Sequence, residues 1–422
     1  MARETYENIV IIGASVAGHA LANELIPIIP RTHRILLIDA LDYSFYPIAA
    51  LRASVVPGWE DKIVVPLKTS TVFTEFSQHQ VIAPNKVVEL RKNSIILEKP
   101  FEGSTELPFF KAVVATGSTQ PSPMRPSADW TGINDYKKAL INSQEETKKA
   151  KKIVIVGGGT VGVEWAGEVR AAYPDKEITI VHNRSSLLAP DSNGKSTNTT
   201  PESWSSPPTA PKLSKSLVSL AEQNKVKLIL NDKVIIPKHQ VSQGEWDGSF
   251  GRQKRGLVRV KTEKGKTIEA DYVFLSIGNK PNSTLVRKAD SNAVEGSGLI
   301  RVDDNLKVAA TSDSSPLSGN NYYAIGDCTA APGFKTAYLG GVQGKVVATN
   351  LVNEIKGKAL TKYSPGTFTG LVVPFGPELG AGSITLPYLG TWAVGNGMVK
   401  SLKGKGLFID MFLKSFKGSE KV

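Results

Sequence analysis

Two copies of one short pattern constrain this chain more than any other feature. The first runs Asn8-Ile-Val-Ile-Ile-Gly13-Ala-Ser-Val-Ala-Gly18, then a helical stretch, then Arg34-Ile-Leu-Leu-Ile-Asp39. The second runs Lys152-Ile-Val-Ile-Val-Gly157-Gly-Gly-Thr-Val-Gly162, a helical stretch, then Glu177-Ile-Thr-Ile-Val-His182. Each is an apolar β-branched strand, a glycine turn, a helix and a second strand, which is the βαβ unit of a dinucleotide fold. The turns lie too far apart to serve one nucleotide, so the pattern predicts two nucleotide sites in an α/β protein with two Rossmann-like domains.

Two more strands echo each other, Ala112-Val-Val-Ala-Thr-Gly-Ser118 and Tyr272-Val-Phe-Leu-Ser-Ile-Gly278. A third, Asn321-Tyr-Tyr-Ala-Ile-Gly-Asp327, ends in a carboxylate, and a helix is expected from about Thr336 to Ile355. Residues 189–211 are rich in Pro, Ser, Thr and Asn without periodicity and read as a surface insertion in the second nucleotide domain. Residues 366–422 form a separate C-terminal α+β element.

In the first turn, Gly13 permits the tight bend and Gly18 lets the helix pack against the strand. Ser15 takes the middle position, where a small residue lets backbone amides reach a pyrophosphate. Asp39 follows roughly 20 residues on, where a carboxylate accepts from a ribose diol. The second turn carries all three glycines, Gly157, Gly159 and Gly162. His182 stands where Asp39 stands in the first copy, with Arg184 two residues on. A carboxylate there would favour NADH; its absence beside an arginine permits NADPH. Asp327, at the end of a buried strand, suits a flavin ribityl chain, so FAD is expected in the first site. Glu164 and Glu168 lie one turn apart on the second helix and share a face. Glu164 is placed to orient a nicotinamide or relay a proton.

These features resemble the pyridine-nucleotide-dependent flavin reductases with paired Rossmann domains, and within them the apoptosis-inducing-factor-like and ferroptosis-suppressor-protein-like branch. The narrower likeness rests on Phe45-Tyr-Pro-Ile-Ala-Ala-Leu-Arg-Ala-Ser54, Ala115-Thr-Gly-Ser118, Gly162-Val-Glu-Trp-Ala-Gly-Glu168, Tyr323-Ala-Ile-Gly-Asp-Cys328 and Lys335-Thr-Ala-Tyr338. The resemblance implies an FAD domain from residues 1–120 and 280–365, interrupted by an NAD(P)H domain at 121–279. It implies that Gly13, Ser15, Gly18, Asp39, Arg52, Thr116, Gly117 and Asp327 surround FAD. Val87 would meet the adenine, and Ala337 and Tyr338 the flavin ring. Gly157, Gly159, Gly162, His182, Arg184 and Gly278 would line the nicotinamide nucleotide. Glu164 matches the glutamate of the family's Gly-Val-Glu motif, and Lys403 aligns with a C-terminal lysine near the flavin.

The expected activity is an FAD-dependent NAD(P)H oxidoreductase that passes electrons to a quinone-type acceptor or to O₂. Phe368, Phe375, Tyr388 and Trp392 are apolar candidates for the acceptor pocket. The single cysteine, Cys328, excludes a redox cysteine pair. It also points to an intracellular, cytoplasmic protein. The first strand begins by Asn8, which is read as leaving no room for a cleaved leader. The start Met1-Ala2 does not match the Met-Gly of the myristoylated branch.

The formal charge is +12 with a pI near 9.4, which suits anionic partners. A redox-responsive signalling protein that binds DNA or a protein partner is therefore an alternative, as is a reductase feeding a small electron carrier. No aromatic-interleaved basic platform supports nucleic acid as a partner. No metal is expected, and the same C-terminal aromatics could instead pack in the core or in a homodimer. The tail from Met398 to Phe416 mixes lysines with Leu407, Phe408, Met411, Phe412 and Phe416 at helical spacing, which predicts peripheral membrane contact.

Overall fold

The computed structural model describes residues 6–74, 77–127, 130, 132–188, 209–239, 241–277, 279–366, 369–386, 390–418 and 420. Two five-stranded sheets dominate it. In the first, parallel strands stand in the order Tyr322–Ala324, Lys111–Val114, Glu7–Ile12, His33–Ile38 and Gln80–Ile82. Both faces are covered, so the strand sequences are continuously apolar rather than alternating. Ile9 and Ile11 face one core with Leu21, Leu25, Val347 and Leu351. Val10 and Ile12 face the opposite core with Ile95, Leu97 and Leu107.

In the second sheet, the parallel strands are ordered Val226–Ile229, Glu177–Val181, Lys152–Val156 and Tyr272–Leu275. Gly251–Arg252 pairs antiparallel at the edge. The chain leaves the first domain through Ser118–Thr119 and returns through Lys280–Pro281, and these two short strands pair antiparallel. The first sheet is thus completed by Tyr322–Ala324, far along the chain, together with the helix Ala337–Ile355. Thr336 caps that helix by accepting from the Leu339 amide.

The C-terminal element is an antiparallel sheet of Thr369–Phe375, Leu379–Leu386 and Gly390–Val394, followed by short helical segments. It packs on the second glycine-turn helix, Thr160–Ala172. Gly167 is required there, because a Cβ would come within 2.4 Å of the Gly376 and Phe375 backbone. One core cluster contains Leu51 and Val55 of the first domain, Trp165 and Val169 of the second, and Val373 and Phe375 of the C-terminal sheet. All three parts meet around this helix.

Three sequence expectations change. The insertion does not run to residue 211: Pro211 opens a helix, Pro211–Gln223, and residues 189–208 lie outside the described ones. Phe375 is 2% exposed and belongs to the core rather than to an open acceptor pocket. Phe368 and Tyr388 fall outside the described residues, and Trp392 is 59% exposed. The tail is not one amphipathic helix. A π-helical turn at Lys400–Gly404 gives way to Leu407 and Phe408 with positive φ of 48° and 58°, then to a short helix, Ile409–Lys414. The break turns the apolar side chains in different directions. Leu407 is buried, and Phe412 and Phe416 lie against Tyr46 and His19 at ring distances of 4.8 and 4.3 Å. Phe408 and Met411 remain exposed.

Candidate active site

Both glycine turns leave helix amides ready for an anion. The helices Val16–Leu25 and Thr160–Ala172 begin at Ser15 and Gly159, and neither has a side-chain cap. Uncapped N-terminal amides and the helix dipole together hold phosphate. Gly13 has φ +107°, and a Cβ there would lie 2.5 Å from the Ala115 carbonyl oxygen. A Cβ on Gly18 would strike the Gly13 carbonyl oxygen at 1.8 Å. Gly157 and Gly162 are forced in the same way, by Ser276 at 2.7 Å and by the Gly157 carbonyl at 2.2 Å. Gly159 differs. A Cβ there would meet no heavy atom within 4 Å, so protein packing does not demand glycine at that position. The open space leaves the backbone there accessible to a phosphate group. The residues present therefore fit a dinucleotide at each turn.

Around the first turn, Asp39 Oδ2 accepts from the Ala14 amide at 2.7 Å and Oδ1 from the Leu41 amide at 2.9 Å. Burial pushes this carboxyl above its ordinary range, and the backbone N–H groups pull it back. The Ser15 hydroxyl donates to the Phe45 carbonyl at 3.3 Å. Thr116 donates to the Asn282 carbonyl at 2.6 Å, tying the Thr116-Gly117 turn to the returning chain. Gly117 has φ +67°. Val87 begins the strand Val87–Leu90 and is partly buried. Ala337 starts its helix, and the adjacent Tyr338 is 61% exposed.

Asp327 sits on the tight turn Gly326–Cys328. Its Oδ2 accepts from the Ser118 hydroxyl at 3.0 Å and lies 3.7 Å from Arg125 Nη2. Arg125 also stacks over the Phe45 ring at 5.5 Å. Sequence reasoning missed Arg125, because its Pro-rich surroundings carry no periodic signal. Cys328 next door is fully buried, its thiol facing the Ile325 carbonyl at 3.2 Å.

At the second turn, His182 Nδ1 accepts from the Gly158 amide at 3.1 Å. Arg184 accepts through its carbonyl from the Asn231 amide at 2.9 Å. Gly278 lies outside the described residues.

The two acidic residues on the second helix are each paired with a cation from elsewhere. Lys403 Nζ donates to Glu164 Oε1 at 2.7 Å and to the Val372 carbonyl at 3.3 Å. Burial pushes the Glu164 carboxyl upward, and the Lys403 ammonium opposes that shift. The Arg52 guanidinium grips Glu168 bidentately, at 2.8 and 2.7 Å, with both side chains 4% exposed. Its remaining N–H groups reach the Gly404 and Lys405 carbonyls at 2.7 and 2.8 Å. The Arg52 side chain thus joins Glu168 to the C-terminal turn. The segment Gly162-Val-Glu-Trp-Ala-Gly-Glu168 now has a physical reading. Gly162 allows the turn, Glu164 meets Lys403, Trp165 enters the core, Gly167 admits the C-terminal sheet, and Glu168 holds Arg52.

The chain is similar to known proteins along most of its length. Human ferroptosis suppressor protein 1 is 29% identical over 416 residues, covering 98% of this chain and 96% of that protein. Apoptosis-inducing factor homolog B of Dictyostelium discoideum is 28% identical over 415 residues, covering 96% of each. The sulfide:quinone oxidoreductase of Aquifex aeolicus has the same fold, with a TM-score of 0.69 at 17% identity over 98% of this chain and 92% of that one. The pattern of the pyridine nucleotide-disulphide oxidoreductases matches residues 7–344. The chain therefore belongs to the pyridine nucleotide-disulphide oxidoreductase family, in its apoptosis-inducing-factor-like and ferroptosis-suppressor-like branch, as an FAD-dependent NAD(P)H oxidoreductase.

Proposed function

We propose that the chain reduces a quinone-type acceptor with electrons from NAD(P)H, with O₂ as a slower acceptor. The observation that carries this reading is the Glu164–Lys403 pair, held beside the second glycine turn. The Asp39 and Asp327 turns would hold FAD, and the Gly157–Gly162 turn would hold the nicotinamide nucleotide. Bound FAD supplies the redox chemistry, accepting a hydride from NAD(P)H and passing two electrons on. The protein's own residues then have to manage protons. Quinone reduction consumes two electrons and two protons, one from solvent and one arriving with the hydride. Lys403 Nζ is a donor suited to the acceptor's oxygen, and Glu164 Oε1 keeps that ammonium charged and oriented. With one buried cysteine, the chain has no dithiol through which to route electrons. The fold shared with a sulfide:quinone oxidoreductase is compatible with a quinone acceptor.

A quinone dissolved in a bilayer would have to be met at the membrane surface. We place that contact on the C-terminal segment, where Met398, Leu402, Phe408 and Met411 are 49%, 46%, 36% and 69% exposed. Exposed Lys405, Lys414 and Lys417 flank them. Among the described residues no helix is long and apolar enough to cross a membrane.

The deciding experiment is steady-state oxidation of NADH and NADPH by the FAD-loaded protein with a soluble short-chain quinone, ferricyanide or O₂. Quinone turnover well above the O₂ rate is expected. Reduction of bound FAD without quinone turnover would reject the acceptor. Sedimentation with anionic liposomes is expected for the intact chain and not for Leu402→Glu/Met411→Glu. These substitutions leave Lys403 and the Arg52 contacts in place. Equal sedimentation of both proteins would reject the membrane contact.

A further inference from the structure

His182 occupies the same post in the second domain that Asp39 occupies in the first. Each follows the second strand of its βαβ unit. Each accepts a hydrogen bond from the amide directly after the first glycine: Asp39 from Ala14 at 2.7 Å, His182 from Gly158 at 3.1 Å. The imidazole packs closely on the turn, since a Cβ at Gly158 would come within 2.9 Å of His182 Cγ.

The two residues nevertheless present opposite hydrogen-bonding chemistry. A carboxylate has only acceptors to offer. In His182 the Gly158 N–H occupies the Nδ1 lone pair, so the neutral ring carries its proton on Nε2. His182 is 9% exposed, and its Nε2 is buried without a partner among the described residues. Buried donors are ordinarily satisfied, so this N–H marks a place for an acceptor atom.

We propose that His182 reads the adenosine-ribose end of the nicotinamide dinucleotide as an uncharged Nε2–H donor, and so favours the 2′-phosphorylated form. The proposal rests on the reading that the second glycine turn binds NAD(P)H. A 2′-phosphate presents only acceptor oxygens, which a donor satisfies and a carboxylate would repel. A free 2′-hydroxyl can use either partner and gains less from a donor. Burial and the nearby Arg184 charge hold the His182 ring down at about 4, so it remains neutral under ordinary conditions. Discrimination through His182 is then a matter of hydrogen-bond sense, with Arg184 supplying charge to the same end.

Asp and Asn at position 182 make a clean pair of tests. Both are the size that already serves at Asp39, and both can accept from the Gly158 amide, so the turn keeps its support. Asn retains a donor; Asp does not. The measurement is equilibrium binding of NADP⁺ and NAD⁺ to the FAD-loaded protein by titration calorimetry, which requires no turnover. His182→Asp is expected to weaken NADP⁺ by roughly tenfold or more, the scale of one charge-assisted hydrogen bond, and to leave NAD⁺ nearly unchanged. His182→Asn is expected to keep the wild-type ratio within about threefold, since its donor remains. Nitrogen NMR of histidine-labelled protein should show His182 protonated at Nε2 and bare at Nδ1. An Nδ1–H tautomer, an unchanged ratio in His182→Asp, or a collapsed ratio in His182→Asn would each overturn the proposal. If neither nucleotide binds the wild-type protein, the dinucleotide reading of the turn fails first, and His182 has nothing to read.

Discussion

Lys403 Nζ and Glu164 Oε1 lie 2.7 Å apart although 239 residues separate them in the chain. Their side chains are 15% and 11% exposed, so the pair is largely shielded from water. One turn further along the same helix, Glu168 holds Arg52, and Arg52 holds the Gly404 and Lys405 carbonyls directly after Lys403. Two buried ion pairs thus clamp the C-terminal turn to the second glycine-turn helix, one through a side chain and one through the backbone.

Removing Lys403 should cost more stability at neutral pH than in acid. Lys403→Met leaves the buried Glu164 carboxylate unpaired, a loss of about 3–5 kcal/mol when both partners are well desolvated. Burial already raises the Glu164 carboxyl above its ordinary range, and losing the cation raises it further. A group raised in the folded state favours folding fully below its unfolded pKa and loses that contribution as pH rises through the folded pKa. The deficit of Lys403→Met relative to wild type should therefore widen as pH climbs through the raised range of the folded-state Glu164 carboxyl. Urea denaturation at pH values on either side checks this, and a pH-independent deficit would count against it.

Arg52→Lys should behave more like a deletion than a conservative change. A lysine cannot reproduce the bidentate grip on Glu168 while also reaching two carbonyls. A stability loss of about 3–5 kcal/mol is expected for Arg52→Met. Both variants should show faster proteolysis near residues 404–405 than wild type. Unchanged proteolysis would mean that the C-terminal turn is held by its apolar contacts alone.

Gly157 and Gly159 should separate folding from binding. Gly157→Ala strains φ +108° and drives a Cβ into Ser276, so its melting temperature should fall. Gly159→Ala meets no protein atom within 4 Å, so its melting temperature should hold while NAD(P)H affinity drops. Calorimetry and nucleotide titration read the two effects independently. A Gly159→Ala protein with full affinity would remove that turn from the nucleotide site.

Thiol reagents should leave the native enzyme active. Cys328 is wholly buried, and burial pushes its thiol upward, away from the reactive thiolate. Alkylation should proceed only in denaturant, and Cys328→Ala should keep its turnover. Rapid inactivation of the folded protein by iodoacetamide would revive thiol chemistry.

The two nucleotide turns were legible in the sequence because their requirements are local. A tight turn with positive φ admits glycine, strands covered on both faces demand continuous apolar runs, and both signals occupy adjacent residues. Glu164 and Glu168 were legible as one helical face for the same reason. Their partners were not. Arg52, Lys403 and the Gly404 carbonyl come from segments that meet only after the C-terminal sheet docks against Gly167, and no spacing rule links residue 52 to residue 168. The tail shows the opposite failure: its apolar spacing is helical, yet Leu407 and Phe408 adopt positive φ and redirect the side chains. Local periodicity records which residues avoid water. Whether Phe412 and Phe416 avoid it against Tyr46 and His19 or against another surface is decided by what the folded chain places beside them.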